Sequence, residues 1–315
     1  MSLDVVVAVW NEEEMLPLLF ERLTAVFTPE SLARSGIASV RYVMVDDGSR
    51  DRSAAVIAEA IAAGAPAVLY RLSRNFGHQS AISAGLHFAD ADVVAIIDAD
   101  LQDPPELIPQ MIERWRGGHD VIYAQRRKRR EGPLKRLGYW AFYRAVAFMA
   151  DIEIPLDTGD FCLMDRRVLD TLRALPEKLR FPRILRAWVG FRQEGIEYDR
   201  PPRQAGRTKY SLGRLYRLAT DGIASASVRP LQAAQVFSVS YLLLILVLGI
   251  VVLLRPGAIE APPAVVAGFL LILVGNLVQV FCIYILGAYV GRTYLEVKGR
   301  PAFVVMEVVG GTEKR

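Results

Sequence analysis

Apolar positions in the first hundred residues come in short unbroken runs, VVVAVW (5–10), YVMVDD (42–47), AVLYRL (67–72) and VVAIIDAD (93–100). Continuous rather than alternating runs predict strands covered on both faces. The stretches between them predict helices over 12–27, 52–63, 79–89 and 105–116. Strand and helix taken in turn give an α/β sandwich around a mostly parallel sheet. Ligands bind such sheets beyond the carboxyl ends of the strands.

The pattern changes near the C-terminus. AAQVFSVSYLLLILVLGIVVLL (233–254) and AVVAGFLLILVGNLVQVFCIYILGAYV (264–290) carry no charged side chain, and each exceeds the roughly 20 residues that a helix needs to cross a bilayer. They predict two transmembrane helices, a hairpin over 233–290, joined by RPGAIEAPP (255–263). Asn276 and Gln279 lie inside the second span, where polar side chains usually bond a neighbouring helix. Arg214, Arg217 and Arg229 precede the hairpin, and Arg292, Lys298 and Arg300 follow it. The positive-inside bias then places both termini in the cytoplasm and the connector outside. Residues 211–232 mix arginines with apolar residues at three- and four-residue spacing, which predicts an amphipathic juxtamembrane helix at the interface. VVVAVW is too short for a signal-peptide core. The expected organisation is a cytoplasmic domain over 1–210, the juxtamembrane segment 211–232, the hairpin 233–290 and a cytoplasmic tail 291–315. A multi-pass protein of the inner (plasma) membrane is expected.

Composition agrees. Of 315 residues 52% are hydrophobic, yet 23% are charged, so the mean hydropathy of +0.25 reflects the hairpin and not a uniformly apolar chain. Cys162 and Cys282 have no metal-site spacing, which excludes a disulfide scaffold or zinc module and points to a reducing compartment.

The residues after the four strands carry the chemistry: WNEEE, DDGSRD, SRNFGH and DADLQD. No GxGxxG or GxxxxGK[ST] loop is present, so the phosphates of any bound nucleotide must be met by a metal or by arginines. Asn11 could cap a helix, with Glu12 to Glu14 at the positive end of its dipole. VDDGSRD contains an Asp-Gly turn, in which Ser49 or Asp51 could cap the next helix, but a turn does not require two adjacent carboxylates. Strand alternation sets Asp98 and Asp100 on one side, and with Gln102 they make an oxygen-rich site suited to Mg²⁺ or Mn²⁺ holding a diphosphate. QRRKRREGPLKR (125–136) is a basic tract, either a solvated surface or a clamp for a lipid phosphate near anionic headgroups. In LDTGDF, Asp157 and Asp160 flank a glycine, in an Asx-turn or on a loop at a substrate's edge.

Taken in order, VVVAVWNEEE, VDDGSRD, LSRNFGHQSAISAGL (72–86), DADLQDPPELIP, LDTGDFCLMDR (156–166), AWVGFRQ (187–193), RTKYS (207–211) and EVKGRP (296–301) resemble the family-2 glycosyltransferases of GT-A fold. They resemble most the polyprenyl-phosphate branch, the dolichol-phosphate mannose synthases and bactoprenol glucosyltransferases. The resemblance implies an inverting transferase that takes a hexose, glucose from UDP-glucose first, to undecaprenyl or another polyprenyl phosphate. It implies nucleotide contacts from Trp10, Asn11, Glu12, Asp46, Asp47, Ser49 and Asp98, and a metal site of Asp98, Asp100 and Gln102. Asp157 and Asp160 would be the catalytic acidic pair, with one orienting the acceptor or serving as base. Arg126, Arg136, Arg207 and Lys209 would hold the acceptor phosphate. The partners implied are the sugar nucleotide, the lipid and the bilayer, with no nucleic acid, and homo-oligomers through the transmembrane helices. Ala8, Trp10 and His78 stand where relatives commonly have proline, tyrosine and lysine. Other donors (GDP-mannose, UDP-galactose, UDP-N-acetylhexosamine) are the alternative. A polysaccharide synthase is disfavoured because ILRAW (184–188) lacks a QxxRW motif, and a non-catalytic sugar-nucleotide receptor because every acidic motif is intact.

Overall fold

The computed structural model describes residues 1–127, 158–178, 180–199, 229–254 and 262–311. They fall into two compact units, a sheet unit that includes the residues from 300 onward and a helical unit over 229–299.

The sheet unit begins as the apolar runs predict. Strands β1 (Ser2–Val9), β2 (Ser39–Asp46), β3 (Ala67–Leu72) and β4 (Val93–Asp98) alternate with helices α1 (Leu16–Val26), α2 (Pro29–Ser35), α3 (Ser53–Ala62) and α4 (His78–Phe88). A 3-10 turn, Pro105–Leu107, leads into α5 (Ile108–Arg116), and β5 (Val121–Arg126), β6 (Thr158–Asp165), α6 (Arg166–Ala174), α7 (Pro182–Trp188) and β7 (Gln193–Tyr198) follow. With a last strand, β8 (Val305–Val309), the sheet order is β7-β5-β6-β4-β1-β2-β3-β8. Pairing is parallel across β4-β1-β2-β3 and between β5 and β7, while β6 runs antiparallel to both β4 and β5. Leu16, Leu19 and Leu23 of α1 pack one face with Met111 and Ile112 of α5. Ala81 and Ile82 of α4 pack the other with Val168 and Leu169 of α6.

The sequence pattern leaves 291–315 as a tail. In the structure Val305–Val309 forms β8, antiparallel to β3 with Leu69 opposite Val309. Phe303 meets the rings of His87 and Phe88 at 5.8 and 6.0 Å. The segment therefore covers an otherwise open sheet edge.

At the amino end of β1, the buried Asp4 accepts two bonds from Arg41, at 2.9 and 2.6 Å, and two more from the Asp90 and Ala91 amides. Asp4→Ala strips all four donors of their acceptor and is expected to lower unfolding stability by roughly 2–3 kcal/mol. Urea denaturation checks the loss. Turnover per folded molecule should hold, because Asp4 lies at the end of β1 away from Trp10.

The helical unit holds α8 (Arg229–Leu254) and α9 (Pro262–Val297). Both are long and apolar enough to cross a membrane. Among the described residues, the exposed large apolar side chains outside them are only Met1, Trp188, Val304 and Met306. The Tyr241 hydroxyl donates to the Leu271 carbonyl at 2.9 Å, over the space that Gly275 leaves by having no side chain. Asn276 and Gln279, expected to bond a neighbouring helix, are exposed, and Tyr241 and Cys282 make the polar contacts between the two helices. Of 211–232 only residues 229–232 are described, as the first turn of α8.

Candidate active site

The carboxyl ends of β1, β2 and β4 lie side by side, and the antiparallel β6 brings its first residues to the same end. Ile96 pairs with Cys162, so the register carried on by two residues sets Asp98 opposite Asp160. Like charges directly opposite one another destabilise a sheet. Here His78, first residue of α4, stands between them, its Nε2 3.4 Å from Asp98 Oδ1 and 3.4 Å from Asp160 Oδ2. Burial disfavours a charge on His78, but the Asp160 hydrogen bond and the charges of Asp98, Asp160 and Asp47 outweigh it and push the pKa up to about 9. Burial likewise opposes ionisation of Asp160, yet the His78 hydrogen bond and charge, Arg183 and Gln79 hold it well below the usual carboxylate range. Gln79 Nε2 donates to Asp160 Oδ2 at 2.8 Å, and Arg183 donates to the Thr158 carbonyl at 2.9 Å. Asp160 is thus a strand residue with a basic partner, and the expectation of a loop for it is corrected. Asp157 lies outside the described residues.

The DAD segment also departs from simple alternation. β4 ends at Asp98, and Leu101 takes a left-handed conformation at φ 57°, where a bulky side chain is costly. Asp100 therefore sits in a turn, and its Oδ1 accepts from the Gln102 amide at 3.1 Å. Among the described residues no three or more His, Cys, Asp or Glu side chains close around a cation. A hard divalent ion that takes one or two carboxylates and completes its shell with substrate phosphates needs no such cage. The oxygen donors of Asp98, Asp100 and Gln102 fit that chemistry.

Around the nucleotide motifs, α1 starts at Leu16, and its N-cap Met15 makes no side-chain cap, so Asn11 does not cap it. Asn11 is left-handed at φ 54°. Its amide donates to Ser49 Oγ at 2.9 Å, and its Oδ1 accepts from the Arg50 amide at 2.8 Å. The Glu12 amide donates to Ser53 Oγ. The WNEEE and DDGSRD loops are therefore laced together, with Trp10 partly exposed at their edge.

Asp46 and Asp47 turn inward and are almost fully buried. Asp46 Oδ1 accepts from the Ser49 amide at 3.1 Å. Asp47 accepts from the Phe76 and Gly77 amides at 2.7 and 2.9 Å and from Asn75 Nδ2 at 2.8 Å. Burial raises its pKa in spite of those donors. This is how the SRNFGH loop is pinned over DDGS. Gly48, at φ +64°, lies under the crossing, and a Cβ there would come 2.5 Å from the Arg74 carbonyl carbon.

Of the acceptor set, Arg126 is described, and Arg136, Arg207 and Lys209 lie outside the described residues. Arg126 does not face open solvent. It pairs in register with Tyr198, and burial is outweighed by the Tyr198 hydrogen bond and the charges of Asp103 and Asp98, which raise its pKa. The composition of the four strand ends gives the acidic residues, whereas the bridging place of His78 depends on β6 lying beside β4, for which LSRNFGHQS carries no signal.

The glycosyl transferase family 2 profile matches residues 4–173. An uncharacterised glycosyltransferase of Synechocystis sp. is 38% identical over 98% of this chain and 96% of its own. The bactoprenol glucosyl transferase of Shigella phage SfII is 35% identical over 97% of each chain. A mannosyltransferase of Pyrobaculum calidifontis, solved with GDP-Man and Mn²⁺, is 16% identical over 94% of this chain and 79% of its own, with a TM-score of 0.45. With the family 2 profile covering residues 4–173 and near full-length similarity to the Synechocystis and phage relatives, the chain belongs to glycosyl transferase family 2 and is a glycosyltransferase.

Proposed function

We propose that the protein transfers a hexose from a nucleoside diphosphate sugar to a polyprenyl phosphate at the cytoplasmic face of a membrane, glucose from UDP-glucose being the leading donor. The observation that carries this reading is the meeting of Asp98, His78 and Asp160 at the strand ends, in a chain that also carries two membrane-length apolar helices. Relatives named bactoprenol glucosyl transferase over nearly the whole chain favour the lipid acceptor and the glucose donor.

Trp10, Asn11, Glu12 and Ser49 form the face offered to the nucleoside, with Asp46 and Asp47 shaping the loops from beneath. Asp98, Asp100 and Gln102 hold a divalent cation, Mg²⁺ or Mn²⁺, together with the donor diphosphate. When bound, that ion supplies Lewis-acid stabilisation to the leaving diphosphate. The acceptor is a phosphate monoester with a second pKa near 6, so most of it is a dianion at neutral pH and needs little help from a base. Its oxygen attacks the anomeric carbon from the face opposite the diphosphate. The carbon–oxygen bond to the diphosphate breaks, and the nucleoside diphosphate leaves with the bonding pair. Asp160, held by His78 and Gln79, orients the sugar. Asp157, three residues earlier in the LDTGDF motif, is the other member of the acidic pair. Arg126, Arg136, Arg207 and Lys209 gather the acceptor phosphate, where arginine suits bidentate contact.

The test is purified protein in lipid nanodiscs given labelled UDP-glucose and undecaprenyl phosphate. The expected result is label in the lipid phase, loss of transfer with EDTA and recovery with Mg²⁺ or Mn²⁺. Transfer from GDP-mannose or another donor alone would move the donor assignment. Absence of any lipid product would end the acceptor reading.

The membrane arrangement has its own test. With 1–210 cytoplasmic, 211–232 in the interface, 233–290 spanning and 291–315 returned to the cytoplasm, a membrane-impermeant thiol reagent on intact cells should label Ala258→Cys and not Arg50→Cys. The reverse labelling would overturn the orientation.

A further inference from the structure

We propose that Tyr198 is a positioning residue for the transfer, its hydroxyl joining the loop that carries the diphosphate-site carboxylates to Arg126 and so fixing that guanidinium for the acceptor phosphate. The inference rests on the acceptor role proposed above for Arg126.

Tyr198 ends β7 and lies directly opposite Arg126 of β5, and the Arg127 amide donates to the Tyr198 carbonyl at 3.0 Å. The ring is buried edge-on against Phe161, with centroids 6.0 Å apart at 88°. This leaves the hydroxyl as the working end of the side chain. It donates to Asp103 Oδ1 at 2.8 Å, and Arg126 leaves the neighbouring strand directly opposite, its guanidinium charge acting on the same hydroxyl. A phenol has one proton to give and lone pairs to receive. With the proton on Asp103, the lone pairs of the hydroxyl are left to face the guanidinium. The result is a chain of carboxylate, hydroxyl and guanidinium, closed at both ends by charge.

Its two ends belong to different halves of the site. Asp103 is 2% exposed and directly follows Gln102, so it anchors the turn that presents Asp98, Asp100 and Gln102. Arg126 opens the basic tract. The path of its side chain is kept clear by Gly159, where a Cβ would lie 3.2 Å from Arg126 Nη2. A bulge between Tyr123 and Gln125 shifts β5 against β6 just before this point, which re-aims the strand end. Without the Tyr198 hydroxyl nothing in this chain of contacts would keep the guanidinium from folding onto Asp103 or Asp98, both of which attract it.

The test uses the full-length protein in nanodiscs with undecaprenyl phosphate as acceptor. It compares Tyr198→Phe, Arg126→Ala and the double variant. Tyr198→Phe keeps the ring and its packing and removes one oxygen. Its acceptor KM is expected to rise about tenfold, the effect of one hydrogen bond to a charged group. The Kd of UDP-glucose by calorimetry should stay within about twofold. Arg126→Ala should raise acceptor KM by about tenfold or more, and adding Tyr198→Phe should then change it by less than about twofold, since the hydroxyl would have nothing left to position. Full multiplication of the two effects would overturn the link. So would a change confined to donor Kd, which would make Tyr198 a support for the Asp103 turn alone, or one confined to Tm, which would make it a packing residue. An Arg126→Ala enzyme with unchanged acceptor KM would remove the acceptor role of Arg126 and the inference with it, an outcome distinct from a failure of the link alone.

Discussion

Replacing Asp100 with asparagine is expected to abolish sugar transfer while the fold stands. The Asp100 side chain accepts the Gln102 amide through Oδ1 at 3.1 Å, and an asparagine carbonyl can perform that duty equally well. What asparagine lacks is charge. A carboxylate that helps hold a divalent cation on the leaving diphosphate contributes to several kcal/mol of transition-state stabilisation, so a loss of about 3 kcal/mol lowers kcat by at least about a hundredfold. The measurements are single-turnover transfer in saturating Mg²⁺ or Mn²⁺, with circular dichroism and thermal melting as checks on folding. Wild-type turnover would show that the cation site lies elsewhere. A melting transition displaced by ten degrees or more would show that the turn, and not the charge, is what Asp100 maintains.

This part of the site is legible in the sequence and the rest is not, for one common reason. β1 to β4 are interior strands with continuous apolar runs, buried by helices on both faces, and such runs announce themselves. β7, QEGIEY, lies at the edge and is only partly buried. With two glutamates and a glycine it has no apolar signature. β6 carries a recognisable motif at its start, but that it is a strand follows from its pairing with Ile96 and Ala95, contacts more than sixty residues away in sequence. The position of Asp160 opposite Asp98 and the bridging by His78 follow from that pairing and could not be read from either segment alone. Alternation failed at DAD for a local reason, since Leu101 adopts a left-handed conformation that its side chain does not advertise. β8 was hidden in another way. VMEVV follows a membrane-length helix, and nothing in five residues says that they close the far edge of the sheet.

Asp160→Asn should produce the second large loss, by a different route. Asp160 is partly buried near the start of β6, accepts from Gln79 Nε2 at 2.8 Å and lies 3.4 Å from His78 Nε2. Asparagine preserves the volume and one carbonyl acceptor. It can satisfy Gln79 or His78, but its amino group then points toward the other donor. The cluster is left with a mismatch and with His78 drawn to Asp98 and Asp47 without the counterpull of Asp160. An imidazole drawn toward Asp98 crowds the carboxylate proposed to hold the diphosphate, and the sugar loses the charged edge that Asp160 presents. Misplacement of this kind typically costs about a hundredfold, so kcat should fall by about that factor, with nucleotide affinity much less affected because Trp10, Asn11 and Ser49 are untouched. Stability should fall by about 1–3 kcal/mol, as for a buried donor deprived of its acceptor. The two consequences can be separated. At a temperature where the variant is fully folded by calorimetry, a retained kcat would mean that Asp160 only braces β6 against α4. A lost kcat with intact UDP binding would place it at the reacting sugar, and restoration by a glutamate at position 160 is not expected, because the longer side chain would push His78 out of the gap that separates the two strands' carboxylates.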